Sequence, residues 1–306
     1  MTDSVLITGA STGLGLETAV YLAERGFKVY ATMRDLARRQ ALDAEAARRG
    51  VSVDVLRLDV TDRASIEEAV KSVVEQSGGI YAVVNNAGIE MRGFFEDLTE
   101  EELRAPFETN LFGTMAVTRA VIPYMRAAGR GRIVITSSVG GRIGSLSLTS
   151  YCASRFALEG FGESLYQEMK PLGIYVSIVE PGITKTEHFA SANHMVAEKA
   201  NSPDSLYYPW FRKVQEITMR LAESSPTRPR HVASAVHRAL TSRRPRLRYM
   251  VGRRASLAVA LKRYLPASIF ERFYFGTIIR WVTRPSDSDR EAIGIGPVGQ
   301  ARDKRE

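Results

Sequence analysis

Ser4-Val-Leu-Ile-Thr-Gly-Ala-Ser-Thr-Gly-Leu-Gly15 is the stretch on which the fold of this chain turns. Ser4–Thr8 has strand character, and Gly13–Arg25 carries helical periodicity. Gly9, Gly13 and Gly15 stand at the join, where glycine allows a tight turn and a close approach of the backbone to a pyrophosphate. The helix behind them supplies unpaired amide donors and the positive end of its dipole. Strand, glycine turn and helix in that order predict a nucleotide site built from Gly9, Ser11, Thr12, Gly13, Leu14 and Gly15.

Outward from this turn, strand-like runs alternate with helical stretches. The strands are expected at Phe27–Thr32, Val53–Asp59, Ile80–Asn85, Arg132–Ser137, Tyr175–Glu180 and Arg248–Val251. Helical patterns fill Arg34–Arg49, Ala64–Gln76 and Glu100–Ala127. Runs such as Val5-Leu-Ile7 and Ala82-Val-Val84 are almost wholly apolar, as in strands covered on both faces. The alternation predicts an α/β fold: a Rossmann-type, doubly wound parallel sheet of about seven strands with helices on both faces. Right-handed crossovers then bring the strand C-termini to one edge, where ligands bind. Residues 1–284 read as one domain. Within it, residues 183–228 lack a clear strand, hold Tyr207, Tyr208, Trp210 and Phe211, and read as a substrate-covering insertion. Residues 255–282 read as a C-terminal helical segment, and 285–306, rich in Gly, Pro and charge, as a flexible tail.

Hydrophobic residues make up 44% and charged ones 25% of the chain, the balance of a globular domain. The single cysteine, Cys152, excludes an intramolecular disulfide and suits a reducing compartment. The N-terminal residues lack a basic and apolar leader, and no apolar run reaches the roughly 18 residues of a membrane span. A cytoplasmic location is therefore expected. The net charge of +8 is uneven: residues 227–306 hold 18 Lys/Arg against 6 Asp/Glu. A solvated basic surface is the favoured reading of that excess, and no nucleic-acid reading module accompanies it. His188, His194, His231 and His237 lack ligand spacing, so no metal is expected.

Chemistry concentrates in Ser150-Tyr-Cys-Ala-Ser-Arg-Phe-Ala-Leu-Glu159. Tyr151 and Arg155, four residues apart, share one helical face, and a cation beside a phenol favours the phenolate. That pairing makes a general acid/base. Ser138, at a strand end, can hold a substrate oxygen. Pro106 can kink a helix and re-aim Asn110 or simply mark a helix start, and we take the second reading.

Six motifs in order are similar to those of the classical short-chain dehydrogenase/reductase family, across roughly residues 3–190. Thr8–Gly15 resembles its TGxxxGxG, Asn85-Asn-Ala-Gly88 its NNAG, and Pro181-Gly-Ile-Thr-Lys-Thr186 its PGxxxT. Asp59-Val60 ends the third strand, Asn110 lies in Glu108–Gly113, and Ser138, Tyr151 and Arg155 resemble the Ser-Tyr-Lys centre with Arg for Lys. The resemblance implies that Asp59 and Val60 meet the adenine of a dinucleotide. It implies further cofactor contacts from Asn86, Ala87, Gly88, Pro181, Gly182, Thr184 and Thr186, the last at the nicotinamide amide. By the same resemblance Tyr151 passes a proton to or from the substrate oxygen held by Ser138, and the cation at 155 binds the nicotinamide ribose. Asn110 would link that cation to solvent through a water. Arg155 keeps the charge but does not deprotonate, so a relay through it is impaired.

At the end of the second strand the slot for a ribose-binding acid carries Thr32, with Arg34 following. Arg34 and Ser11 suit a 2′-phosphate, which favours NADP(H) over NAD(H). Ser137-Ser-Val-Gly-Gly141 and Tyr151–Leu165 resemble the hydroxysteroid and retinol dehydrogenase branch, which implies a lipophilic carbonyl or alcohol substrate. The family also implies a homodimer or homotetramer. The alternative is a dinucleotide-binding protein of this scaffold with weak or lost redox activity, or a non-redox reaction. Residues 255–282, with Trp281 among Lys262, Arg263, Arg272 and Arg280, suit either peripheral membrane contact or packing over the pocket or a dimer interface, the latter favoured.

Overall fold

A computed structural model describes residues 2–185 and 196–284. Among these, β1 (Ser4–Ile7), β2 (Lys28–Met33), β3 (Asp54–Arg57), β4 (Ala82–Asn85), β5 (Gly131–Thr136), β6 (Ile174–Pro181) and β7 (Arg248–Val251) form one sheet in the order β3-β2-β1-β4-β5-β6-β7. Every neighbouring pair is parallel. Each strand falls within or a residue or two beside an expected run.

The absence of polar alternation has a direct cause. Val5 and Ile7 of β1 point to one face, where they pack with Ala19, Val20 and Leu22 of α1 (Gly13–Ala23) and Val232 and Val236 of the helix Pro229–Thr241. Leu6 points to the other, among Val70 and Val73 of α3 (Arg63–Ser77), Val117 and Val121 of α5 (Gly113–Ala127), and Leu158 of α6 (Thr149–Met169). Each buried Val, Leu or Ile among these contributes roughly 1.5–3 kcal/mol. The chain leaves β1 for β2 and β3, then returns to β4 on the other side. A crevice opens where this order reverses.

Two expected helices are not continuous. Asp35 accepts a hydrogen bond from the Ala37 amide at 2.9 Å and caps a single 3-10 turn, Leu36–Arg38, before α2 (Gln40–Arg48) begins. Thr99 and Glu102 form a reciprocal capping box that starts α4 (Glu100–Pro106). Pro106 therefore does not mark a helix start, as the sequence reading had it. It lies inside the helix, has no amide to donate, and is followed by a π-helical stretch, Phe107–Phe112, that contains Asn110.

Of the expected insertion, the described part forms a 3-10 turn at Lys199–Asn201 and the helix Tyr208–Glu223. Residues 255–282 are not one helix. The helix Arg253–Tyr264 stops because Leu265, preceding Pro266, is held extended. Shorter helices Ala267–Phe270 and Gly276–Thr283 follow around a π turn. The expected tail, 285–306, lies outside the described residues.

The edge strand β7 is tied down by charge. Arg248 Nε donates to Glu159 of α6 at 2.9 Å and stands 3.3 Å from Glu180 of β6, while its Nη2 donates to Glu163 at 2.7 Å. Arg142 donates to Glu180 at 2.8 Å. Burial first, and the nearby Glu180 charge second, push the Glu159 carboxyl up to about 7. Between its ordinary value of 4.5 and about 7, the unfolded chain releases a proton that the native protein keeps, so stability falls as pH rises through that window. Glu159→Gln is predicted to flatten this slope in urea unfolding compared at about pH 5 and about pH 8; an unchanged slope contradicts the assignment.

Candidate active site

A cavity of about 1880 Å³ occupies the crevice at the strand C-termini. Its walls include Gly9, Ser11, Thr12, Gly13, Leu14, Gly15, Arg34, Asp59, Val60, Asn86, Ala87, Gly88, Ser138, Tyr151, Arg155, Pro181, Gly182 and Thr184. Asn110 is fully buried beneath the wall, and Thr186 lies outside the described residues.

The glycine turn and the NNAG turn form a single cradle. Thr8 Oγ1 accepts hydrogen bonds from the amides of Asn86 and Ala87, both at 3.0 Å. Asn86 Nδ2 donates back to the carbonyls of Thr8 and Gly9 at 2.9 and 3.0 Å. Gly9 and Gly13 take φ values of +67° and +59°, which side-chain-bearing residues rarely adopt. Thr12 makes no side-chain cap, so the first-turn amides of α1 remain free for an anion. These features fit the diphosphate of a dinucleotide.

Toward β2 and β3 the walls carry Arg34, Asp35, Arg38, Asp59 and Val60. Thr32 does not occupy the ribose slot that the sequence suggested. Strand alternation turns it into the core, where its hydroxyl donates to the Ile7 carbonyl at 3.1 Å. Met33 and the residues after it face the cavity instead. The Asp35 carboxylate is engaged with its own turn, and Arg34 has no carboxylate within 4.0 Å among the described residues. Asp59 Oδ1 accepts from the Thr61 amide and hydroxyl at 3.0 and 2.7 Å. Burial alone would raise its pKa, but those hydrogen bonds and the Arg34 charge hold it below the usual carboxylate range.

At the other end, Ser138 follows β5 and caps a short turn, its Oγ accepting from the Gly140 amide at 3.0 Å. Tyr151 stands in the first turn of α6. A Cβ added to Gly140 would lie 3.1 Å from the Tyr151 ring and 3.4 Å from Ser138 Oγ. The Tyr151 ring and the Ser138 hydroxyl thus both stand close against Gly140, on the same wall of the cavity. One turn on, Arg155 is buried with its guanidinium carbon 5.0 Å from the Tyr151 ring centroid. Its Nη1 donates to the Thr136 carbonyl at 3.0 Å, and its Nε has no partner among the described residues. Gly88 closes this arrangement, since a Cβ there would stand 2.5 Å from Arg155 Nη2 and 3.0 Å from Asn110 Oδ1. Asn110 Oδ1 accepts from the Ile89 amide at 2.8 Å, and its Nδ2 donates to the Ile89 carbonyl and to Ser154 Oγ, both at 3.0 Å. It holds the NNAG turn against α6.

The sequence reading set two segments, 183–228 and 255–282, beside the substrate without naming the side chains of one wall. Val214, Ile217 and Leu221 of the helix Tyr208–Glu223 face Tyr274, Phe275, Ile278 and Val282 across the cavity. The 214-217-221 spacing was a legible amphipathic stripe. Of the three placements weighed for residues 255–282, membrane surface, pocket and dimer interface, the last turns line the pocket.

A family model described as short chain dehydrogenase matches residues 3–197. Retinol dehydrogenase 8 of Bos taurus is 35% identical over 287 residues, 91% of this chain and 91% of that one. 17-beta-hydroxysteroid dehydrogenase type 1 of Homo sapiens is 36% identical over 257 residues, covering 82% and 77%. An actinorhodin polyketide ketoreductase solved with NADPH superposes with a TM-score of 0.71 at 29% identity, covering 82% of this chain and 96% of that one. A Burkholderia phymatum short chain dehydrogenase/reductase in complex with NAD shares the fold, with a TM-score of 0.75 at 23% identity and coverage of 86% and 93%. A dinucleotide cradle at the sheet's reversal point, and relatives of this kind along most of the chain, establish that the protein belongs to the short-chain dehydrogenase/reductase family of nicotinamide-dependent oxidoreductases.

Proposed function

We propose that the protein interconverts a lipophilic carbonyl compound and its alcohol with NADP(H), using Ser138, Tyr151 and Arg155 at the reacting end and Asn110 to position the NNAG turn. The approach of Ser138 and Tyr151 about Gly140 carries this reading. Bound nicotinamide supplies the hydride in reduction and accepts it in oxidation. Ser138 Oγ holds the substrate oxygen, and Tyr151 Oη donates a proton to it in reduction and removes one in oxidation. Arg155 keeps a permanent positive charge beside the Tyr151 ring, at the reacting end of the cavity. A guanidinium cannot then return a proton, so Tyr151 is recharged by a route that bypasses position 155.

The apolar wall of Val214, Ile217, Leu221, Phe275 and Ile278 supports a lipophilic substrate, as do relatives named for retinol and a hydroxysteroid. Arg34 supports NADP(H). It lines the cavity without a carboxylate partner among the described residues, and Asp35 is occupied by its own turn. A bidentate guanidinium–phosphate pair would then select the phosphorylated cofactor.

Dissociation constants measured by fluorescence titration should favour NADP(H) over NAD(H), and Arg34→Glu should weaken NADP(H) by about tenfold or more. Tighter NAD(H) binding by the wild type overturns the cofactor assignment. Tyr151→Phe should lower carbonyl reduction by at least about 100-fold with the dinucleotide still bound. Arg155→Lys should keep or raise the rate, because lysine restores a cation that can release its proton. A wild type that binds dinucleotide but changes no nicotinamide absorbance across a broad carbonyl and alcohol panel would favour a binding role instead.

A further inference from the structure

A second cavity, about 770 Å³, lies beside the edge strand β7. Its walls include Arg142, Arg238, Arg244, Arg246, Arg248 and Arg263 against a single carboxylate, Glu180. Arg142 pairs with buried Glu180, and Arg248 with buried Glu159 and Glu180 and with exposed Glu163. The exposed Arg238, Arg244, Arg246 and Arg263 have no carboxylate within 4.0 Å among the described residues. Four unneutralised guanidiniums around one concavity make a site for a polyoxygen anion, with phosphate the natural match to their planar donors.

The helix Arg253–Tyr264 says where that phosphate comes from. Val259, Ala260, Arg263 and Tyr264 face the cavity. The adjoining Leu257, Leu261 and Tyr264, at helical spacing, are 61%, 41% and 78% exposed, and Leu265 just past the helix end is 38% exposed. An apolar stripe flanking a cationic cavity is complementary to a bilayer surface, where acyl chains lie beside anionic headgroups. A second copy of the chain fits poorly, since a twofold contact here would set arginines against arginines.

We propose that this cavity binds the phosphate of an anionic phospholipid headgroup while Leu257, Leu261 and Tyr264 enter the bilayer surface beside it. The proposal stands apart from the redox assignment and uses no residue of the first cavity. Among the described residues no helix is long and apolar enough to cross a membrane, so this contact is peripheral.

The test is co-sedimentation of the full chain with phosphatidylcholine vesicles, with and without phosphatidylglycerol, at several salt concentrations. Wild-type protein should bind the anionic vesicles at least about tenfold more tightly, and lose that preference at high salt. Arg244→Glu with Arg246→Glu, and separately Leu257→Asp with Leu261→Asp, should each cost about tenfold or more, with thermal unfolding midpoints unchanged. Parallel titrations use glycerol 1-phosphate and single-stranded RNA, and sedimentation velocity reports self-association. Equal binding to neutral and anionic vesicles overturns the proposal. So does binding indifferent to the arginine reversals, or tight binding of glycerol phosphate or RNA without vesicle binding, or dimers dissolved by the leucine changes.

Discussion

The hydroxyl of Thr8, which receives the Asn86 and Ala87 amides across the ends of β1 and β4, is the junction from which the site is built. A parallel sheet that reverses its winding order must leave a crevice between those two strands. Without a link across the crevice, the glycine turn and the NNAG turn would be two separate loops. Thr8 and Asn86 lock them together with four hydrogen bonds of 2.9–3.0 Å. Gly88 then brings the second turn against Asn110 and Arg155, so the glycine turn and α6 are joined by continuous contacts.

That path explains how arginine is accommodated at position 155. Gly88 has no Cβ to meet Nη2, and the Thr136 carbonyl takes Nη1. The guanidinium is therefore held within the normal architecture rather than expelled from it. Its permanent charge remains beside the phenol while its capacity for proton transfer is gone. The reading that follows separates two jobs a lysine would combine, electrostatic support for Tyr151 and proton relay, and assigns only the first to Arg155.

Much of this was legible because it is written in local backbone demands. Glycines at φ of about +60°, a cap, or an apolar run buried on two faces each leave a mark within a few residues. Motif order across residues 3–190 also brought Ser138, Tyr151 and Arg155 to the cavity that the structure shows them lining. Thr32 was misplaced because one residue of strand phase turns a side chain from ligand to core. Pro106 was misjudged although the helical pattern already began at Glu100, where the capping box of Thr99 and Glu102 starts the helix. The Glu159–Arg248–Glu180 network and the arginine cavity depend on contacts between segments distant in sequence, and no local pattern announces which partners meet.

A crystal structure with NADP+ bound tests the central claim most directly. The account predicts the diphosphate on the amides at the start of α1, Arg155 donating to the nicotinamide ribose hydroxyls, and Tyr151 Oη facing nicotinamide C4 beside Ser138 Oγ. A nicotinamide turned away from Tyr151, or an Arg155 that blocks the ribose, would contradict it.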